Sequence, residues 1–204
     1  MTFSALRLLI AYLIGGVPIG LMIGKIFRGI DVREFGSGNI GASNVWRTLG
    51  PRLGVTVFVL DVIKGFAPVF FTHHRLPHAA LLTVLVGIAA ILGHNFSPFL
   101  KFRGGKGVAT SLGVAIGLAP LAAAIGFAAW GLVLYATKFI SVSSILGTIV
   151  TTTLIWNFND RALPYLLFAA VAITFVIFTH RSNLKRLRAG TEPKISSKKR
   201  TTAA

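Results

Sequence analysis

Three polar stretches of this chain combine glycine with hydroxyl, amide and cationic side chains, a composition suited to binding phosphate. The first stretch, residues 34–47, contains the spacing Gly36-x-Gly38-x-x-Gly41. Glycine lets backbone N–H groups approach an anion, and nearby side-chain donors and a guanidinium add hydrogen bonds and charge. We therefore expect a phosphate-binding loop here. Its predicted donors are Gly36, Ser37, Gly38, Asn39, Gly41, Asn44 and Arg47.

The glycine spacing of this first stretch also matches the fingerprint of dinucleotide-binding proteins. Asp61 even lies 20 residues after Gly41, where an acid that binds ribose would be sought. That fingerprint requires a preceding β-strand within a βαβ unit. The stretch lies instead between two apolar segments, so we exclude dinucleotide binding. An ordinary flexible loop remains the alternative, because glycine, serine and asparagine are common in loops.

The second stretch, residues 93–107, places glycines on both sides of Lys106, directly before an apolar segment that begins at Val108. Backbone donors and a cation at a helix N-terminus favour anions, so we predict a second anion site. It is not a P-loop, because Leu100 and Gly107 stand where that motif needs glycine and serine or threonine. Alternatively, these cations only mark the cytoplasmic side of a membrane. The predicted ligands are Arg103, Gly104, Gly105, Lys106 and Gly107.

The third stretch, residues 179–187, is predicted to continue a helix past the membrane surface. His180 and Asn183 then share one face of that helix, and we expect both to be functional. The cations between Arg181 and Arg188 lie mainly on another face, where we expect them to bind anionic lipid.

Two further groups of ionisable residues invite a functional interpretation. Asp61 and Lys64 lie three residues apart inside an apolar segment, which favours a structural ion pair, with an ion pathway as the alternative. His73, His74 and His78 lie in one short loop without a carboxylate, so we expect no metal site there. The pattern as a whole requires no cofactor.

The elements that must position these residues are membrane helices, as the composition indicates. Of the 204 residues, 54% are hydrophobic and only 13% charged, yet the net charge is +16. A soluble domain would carry about 25% charged residues. A soluble nucleic-acid-binding protein would pair its basic excess with low hydropathy, whereas the mean hydropathy here is +0.76. We therefore predict an integral membrane protein that binds no nucleic acid.

Seven apolar segments are candidates for crossing the bilayer, which takes about 20 residues of helix. Most of the 21 lysines and arginines then fall on one side if the N-terminus is outside, as expected for a cytoplasmic face. The fourth segment is short and separated from the fifth only by Pro120, so six spans with one bent helix is an alternative. The segments are 4–24, 55–73, 79–96, 107–119, 121–137, 142–157 and 162–179.

The predicted fold class is therefore an all-α integral membrane protein with seven transmembrane helices, the N-terminus outside and a basic C-terminal tail in the cytoplasm. We expect residues 1–190 to form a single transmembrane catalytic domain. Residues 191–204 are expected to form a basic, disordered cytoplasmic tail, because lysine and arginine dominate it.

Taken together, the three stretches resemble the bacterial membrane-embedded acyl-phosphate:glycerol-3-phosphate acyltransferases, the PlsY family. The resemblance covers nearly the whole chain and includes Asp61-x-x-Lys64-Gly65, although Ser43 stands where the family more often has threonine. It implies a multi-pass enzyme of the bacterial inner membrane with its active site at the cytoplasmic face. We expect no cofactor and a monomer, although the sequence itself does not give the oligomeric state. It further implies transfer of a fatty acyl group from acyl phosphate to the 1-hydroxyl of glycerol 3-phosphate, giving lysophosphatidic acid and phosphate for phospholipid biosynthesis.

The resemblance also assigns roles to residues. It implies catalytic roles for Ser37, Arg47, Lys106, His180 and Asn183, and a substrate-binding role for Ser144, with Ser141 and Ser143 close by. His180 is interpreted first as a substrate ligand and second as a base, because the substrate's own phosphate is the alternative base. The rival functional classes are a small transporter, suggested by Asp61 and Lys64, and a lipid-binding scaffold with a basic tail.

Overall fold

A computed structural model describes residues 3–195 of the chain. Throughout this range the regular structure is helical. The ten α-helices, in chain order, are α1 (Phe3–Gly16), α2 (Ile19–Arg28), α3 (Ala42–Leu49), α4 (Pro51–Arg75), α5 (Ala80–Asn95), α6 (Val108–Leu118), α7 (Pro120–Thr137), α8 (Ile140–Phe158), α9 (Leu163–Thr179) and α10 (Arg181–Arg188). Two short 3-10 turns, Val32–Glu34 and Pro98–Leu100, lie in the polar stretches.

Five helical segments are long and apolar enough to cross a membrane. They are α1 together with α2, then α4, α5 with its following turn, α7 and α8. The α9–α10 pair forms a sixth if it is one span bent by 55°. The predicted fourth span corresponds to α6, which has only 11 residues and is too short to meet the same length criterion. Within residues 3–195 there are therefore five such spans, or six if the bent pair is one span.

Small residues set the closest helix contacts, as membrane packing requires. A side chain at Gly65 or Gly113 would run into the backbone of the facing helix, so α4 and α6 are in direct contact. The same holds for Gly15 between α1 and α5, and for Gly126, which faces Thr151 between α7 and α8. Large apolar side chains instead point outward, for example Leu132, which is 71% exposed, as expected for a lipid-facing surface.

The structure describes the first part of the predicted tail. Residues 191–195 fold back onto the helices: the N–H of Ile195 donates to the carbonyl of Lys138 (2.9 Å), and Glu192 is buried. Residues 191–195 therefore pack against the helical part of the described chain, with Glu192 hydrogen-bonded to Ser141 and Asn183. Residues 196–204 of the predicted tail lie outside the described residues.

Candidate active site

A cavity of about 460 Å³ opens among α3, α4, α6, α7, α8 and the end of α9. The three polar stretches meet in it. Of the residues predicted from the sequence, those that line it are Ser37, Asn39, Gly41, Arg47, Lys106, Gly107, Ser144, His180 and Asn183. The other predicted residues, Gly36, Gly38, Asn44, Arg103, Gly104 and Gly105, lie outside its lining. The two groups therefore have different structural roles.

Asn44 supports the loop of the first stretch from the protein interior and does not line the cavity. It is fully buried, and its Oδ1 accepts hydrogen bonds from the N–H (2.7 Å) and the hydroxyl (3.1 Å) of Ser37. Its Nδ2 donates to three backbone carbonyls of the loop, those of Val32, Phe35 and Asn39, at 2.8–3.1 Å. The hydrogen bonds of Asn44 in this structure are thus made within the loop, which gives it a supporting role there.

Gly36 and Gly38 shape the same loop through their backbone conformation. Both have positive φ, 60° and 69°, which glycine adopts without steric cost. A side chain at Gly36 would also overlap the amide of Asn44. These glycines are therefore turn residues of the loop and lie outside the cavity lining.

Replacing Asn44 by Ala should destabilise the protein and detach Ser37 from its support. The buried carbonyl of Val32 and two part-buried carbonyls would lose their donor, at about 1–3 kcal/mol for each buried unsatisfied group. We expect the melting temperature in detergent to fall clearly. The matched control is Asn157→Ala, because the hydrogen bonds of the Asn157 amide are exposed and local: it donates to the carbonyl of Thr153 and accepts from Arg161 Nε. Equal melting temperatures for the two variants would contradict this role for Asn44.

The glycine loop before α6 also differs from the prediction. The N–H groups of Gly104 and Gly105 donate to the carbonyls of Asn95 and His94, both at 3.0 Å, so neither is available to a bound anion. Arg103 is exposed and lies outside the cavity lining. What the loop presents to the cavity is Lys106, followed by Gly107 at a φ of 77°, where α6 begins.

Lys106 is half-buried and lies near three charged groups. Its Nζ donates to the Oδ1 of Asn183 in a short hydrogen bond that joins two predicted stretches. Burial lowers the pKa of Lys106 to about 8; the charge of Glu192 opposes this shift, and Arg186 and Arg47 reinforce it. Burial likewise lowers the pKa of Arg47. Two partly desolvated cations therefore face one cavity, which favours anionic ligands.

Glu192 is the site residue that the sequence reasoning missed. Its Oε1 accepts from Asn183 Nδ2 (2.6 Å) and Ser141 Oγ (2.8 Å), and its Oε2 accepts from Arg186 Nε (2.8 Å). Burial alone would raise the pKa of Glu192, but these hydrogen bonds and the charge of Arg186 outweigh it, so the pKa lies below its ordinary value. One feature of the sequence could have indicated this role: Glu192 is the sole acidic residue after Asp160.

His180 and the α8 serines complete the polar part of the cavity. The Nδ1 of His180 lies 2.8 Å from the carbonyl of Val176. Because a carbonyl only accepts, Nδ1 carries the hydrogen and Nε2 is left as an acceptor. Ser144 lines the cavity as predicted, with its hydroxyl donating to Ile140, and Ser141 lines it as well.

The rest of the cavity wall is apolar. Aromatic rings of α4 and α7 stack along it, with Phe58 6.2 Å from Phe127 and Phe127 5.5 Å from Trp130. Leu134 of α7 and Phe168 and Ala172 of α9 extend this wall. The cavity thus joins a cationic region to an apolar one, an arrangement suited to a ligand with an anionic head and an apolar chain.

Comparisons with known proteins identify the family. The family model described as glycerol-3-phosphate acyltransferase matches residues 5–190, which is nearly the whole described chain. The chain belongs to this family. It is therefore an acyltransferase and an integral membrane protein of several spans.

Individual relatives agree over the same length. The chain is 45% identical over 192 residues to the glycerol-3-phosphate acyltransferase of Bacillus velezensis and to that of Bacillus subtilis, covering 94% of this chain and 97% of each relative. The crystal structure of PlsY (YgiH), an integral membrane glycerol 3-phosphate acyltransferase, superimposes in its glycerol 3-phosphate form with a TM-score of 0.90 at 36% identity, covering 95% of this chain and 96% of that chain. Its lysophosphatidic acid form gives a TM-score of 0.86, covering 95% of each chain. The acyltransferase thus shares the whole fold of the PlsY family.

Proposed function

We propose that this acyltransferase moves a fatty acyl group from acyl phosphate to the 1-hydroxyl of glycerol 3-phosphate, producing lysophosphatidic acid and phosphate. The cavity that joins cations to an apolar wall carries this proposal, because both substrates are anionic and one has a long apolar chain. The glycerol 3-phosphate and lysophosphatidic acid forms of PlsY support the acceptor and the product.

The reaction needs no covalent intermediate on the enzyme, since acyl phosphate is already activated and phosphate is a good leaving group. The hydroxyl oxygen attacks the acyl carbon, the bond from that carbon to the phosphate oxygen breaks, and phosphate leaves with the electron pair. The hydroxyl proton ends on the released phosphate, so the reaction balances without a further reactant.

Each polar residue of the cavity has a proposed role in that step. Lys106 and Arg47 hold the phosphate groups and stabilise charge that develops on the transferring acyl group. Ser37 and Asn183 orient glycerol 3-phosphate, and Nε2 of His180 accepts the hydrogen bond of the attacking hydroxyl. The apolar wall takes the acyl chain from the bilayer.

We further propose seven transmembrane segments, with the N-terminus outside, the cavity open to the cytoplasm and the enzyme in the bacterial inner membrane. The distribution of cations supports this orientation, because Arg47, Lys106 and Arg186 belong to loops or helix ends on one side of the sequence-derived topology. The short helix α6 then crosses a thinned part of the bilayer or is covered by its neighbours.

The test is turnover by purified protein in detergent or lipid. Given acyl phosphate and glycerol 3-phosphate, it should release phosphate and form a monoacylglycerol phosphate. Acyl-CoA or acyl carrier protein should not replace the acyl phosphate. Folded protein that produces no phosphate from these substrates, or that works equally well with acyl-CoA, would contradict the proposed donor.

Activity should fall as the pH rises through about 8, because the protonated form of Lys106 binds phosphate and its pKa lies there. Below that pH the ammonium is present; above it kcat/KM should fall about tenfold for each pH unit. Glu192→Gln removes the charge that raises this pKa, so the decline should begin at a lower pH in the variant. A pH profile with the same midpoint in both proteins would show that another group controls it.

A further inference from the structure

Behind the Lys106 loop lies a buried cluster of ionisable residues that the proposed reaction does not use. Asp61 and Lys64 of α4 and His94 of α5 are 2%, 6% and 4% exposed. Lys64 Nζ lies 2.8 Å from Asp61 Oδ1, and His94 Nδ1 lies 3.8 Å from the same oxygen. Burying such groups within a membrane protein is costly, so their presence calls for a role beyond filling space.

The cluster is tied to the helices on both sides of it. Lys64 Nζ also donates to the carbonyl of Val17 (2.9 Å), at the break between α1 and α2. The same carbonyl accepts the N–H of Ile19 (3.0 Å), so Lys64 gives it a second hydrogen bond. Lys64 therefore ties α4 to the break between α1 and α2 and neutralises Asp61 at the same time.

His94 connects the cluster to the loop that carries Lys106. Its imidazole occupies the space beside Gly105, where an added Cβ would overlap Nε2. The carbonyls of His94 and Asn95 accept the N–H groups of Gly105 and Gly104 at 3.0 Å. The end of α5 therefore holds the two residues directly before Lys106 by backbone hydrogen bonds and by ring packing.

We propose that Asp61, Lys64 and His94 are positioning residues for Lys106, acting through contact of the imidazole with Gly105. This inference rests on the proposed function, since it assigns Lys106 a role in binding phosphate. Asp61 faces Nδ1 of the ring, so it influences the orientation in which Nε2 meets Gly105. Because Asp61 and His94 also line the cavity, Lys64 keeps an unpaired carboxylate from facing the anionic substrates.

The first experiment disrupts and then restores the packing of the His94 imidazole against Gly105. Gly105→Ala should lower kcat/KM about 100-fold, because the added methyl group pushes the loop off the ring and displaces Lys106. His94→Ala should lower it about tenfold by removing the support. The double variant has room for the methyl group, so it should be about tenfold more active than Gly105→Ala alone. Gly131→Ala is the control, because an added Cβ there meets no atom within 4 Å.

A purely structural role would lower the melting temperature of each variant without such rescue. Wild-type turnover in the same assay distinguishes failure of the proposed reaction from failure of the positioning role. An inactive wild type contradicts the proposed donor and acceptor. An active wild type with a double variant no more active than Gly105→Ala overturns the positioning role.

The second experiment tests the charge pair and does not depend on His94→Ala folding. Lys64→Met leaves the charge of Asp61 uncompensated at the cavity wall and should raise KM for glycerol 3-phosphate about tenfold. Adding Asp61→Asn should restore much of that loss while the Lys64 amine stays absent. A KM in the double variant as high as in Lys64→Met would overturn the neutralising role.

Discussion

Lys106→Met should lower kcat/KM for acyl transfer by about a thousandfold, the largest loss expected from a single side chain of this enzyme. The ammonium is held by Asn183 and is partly desolvated, so its charge acts on bound phosphate with less screening than in bulk water. Methionine keeps the length and apolar volume of the side chain and removes only the charge. Phosphate release measured at pH 7 over a range of both substrate concentrations gives the result.

The matched control for this variant is Lys185→Met. Lys185 is an exposed cation of α10, near the same end of the molecule but outside the cavity lining. It should keep nearly wild-type activity. Equal loss of activity in both variants would mean that the net basic charge matters and the position of Lys106 does not. The proposed phosphate-binding role of Lys106 would then be wrong.

Glu192→Ala should lower kcat/KM about a hundredfold and also lower the melting temperature. The change leaves three donors without their acceptor: the amide of Asn183, the hydroxyl of Ser141 and the guanidinium of Arg186. Unsatisfied buried groups cost about 1–3 kcal/mol each, more for a charged group. Loss of the carboxylate also leaves Lys106, Arg47 and Arg186 to repel one another.

Glu34→Ala is the control for this second variant, because Glu34 is an exposed carboxylate beside the first loop. It should leave both activity and melting temperature close to wild type. Normal turnover by Glu192→Ala would mean that the residues after 190 do not organise the site. Loss of activity with an unchanged melting temperature would instead place Glu192 in contact with substrate.

Much of the site was predictable because its signals are local in the sequence. Two short windows of the sequence carry the signal: glycine, serine and asparagine around Ser37, and glycines around Lys106. Nine of the predicted residues line one cavity. Composition alone also indicated membrane helices, since hydropathy sums over neighbouring residues. The ion pair of Asp61 and Lys64 was predictable for the same reason, because its partners are one helical turn apart.

The remaining assignments depend on contacts between residues far apart in the chain. The sequence marked Gly104 and Gly105 as anion donors, but only the fold shows that their N–H groups donate to the end of α5. Likewise, Asn44 looked like a ligand until its partners in the loop were known. A donor's residue type gives its capacity to hydrogen bond, whereas its partner is decided by packing.

The sequence by itself determined that this is a basic, multi-span membrane protein and predicted three stretches suited to binding phosphate, because hydropathy, charge and glycine content are properties of short segments. Only the tertiary structure decided which polar groups reach the substrate cavity and which hold the loops. Lys106 and Asn183 are 77 residues apart, and Glu192 and Ser141 are 51 apart. Such pairs form only when the helices pack, since the geometry of the fold, and not the local sequence, brings their atoms within hydrogen-bonding distance.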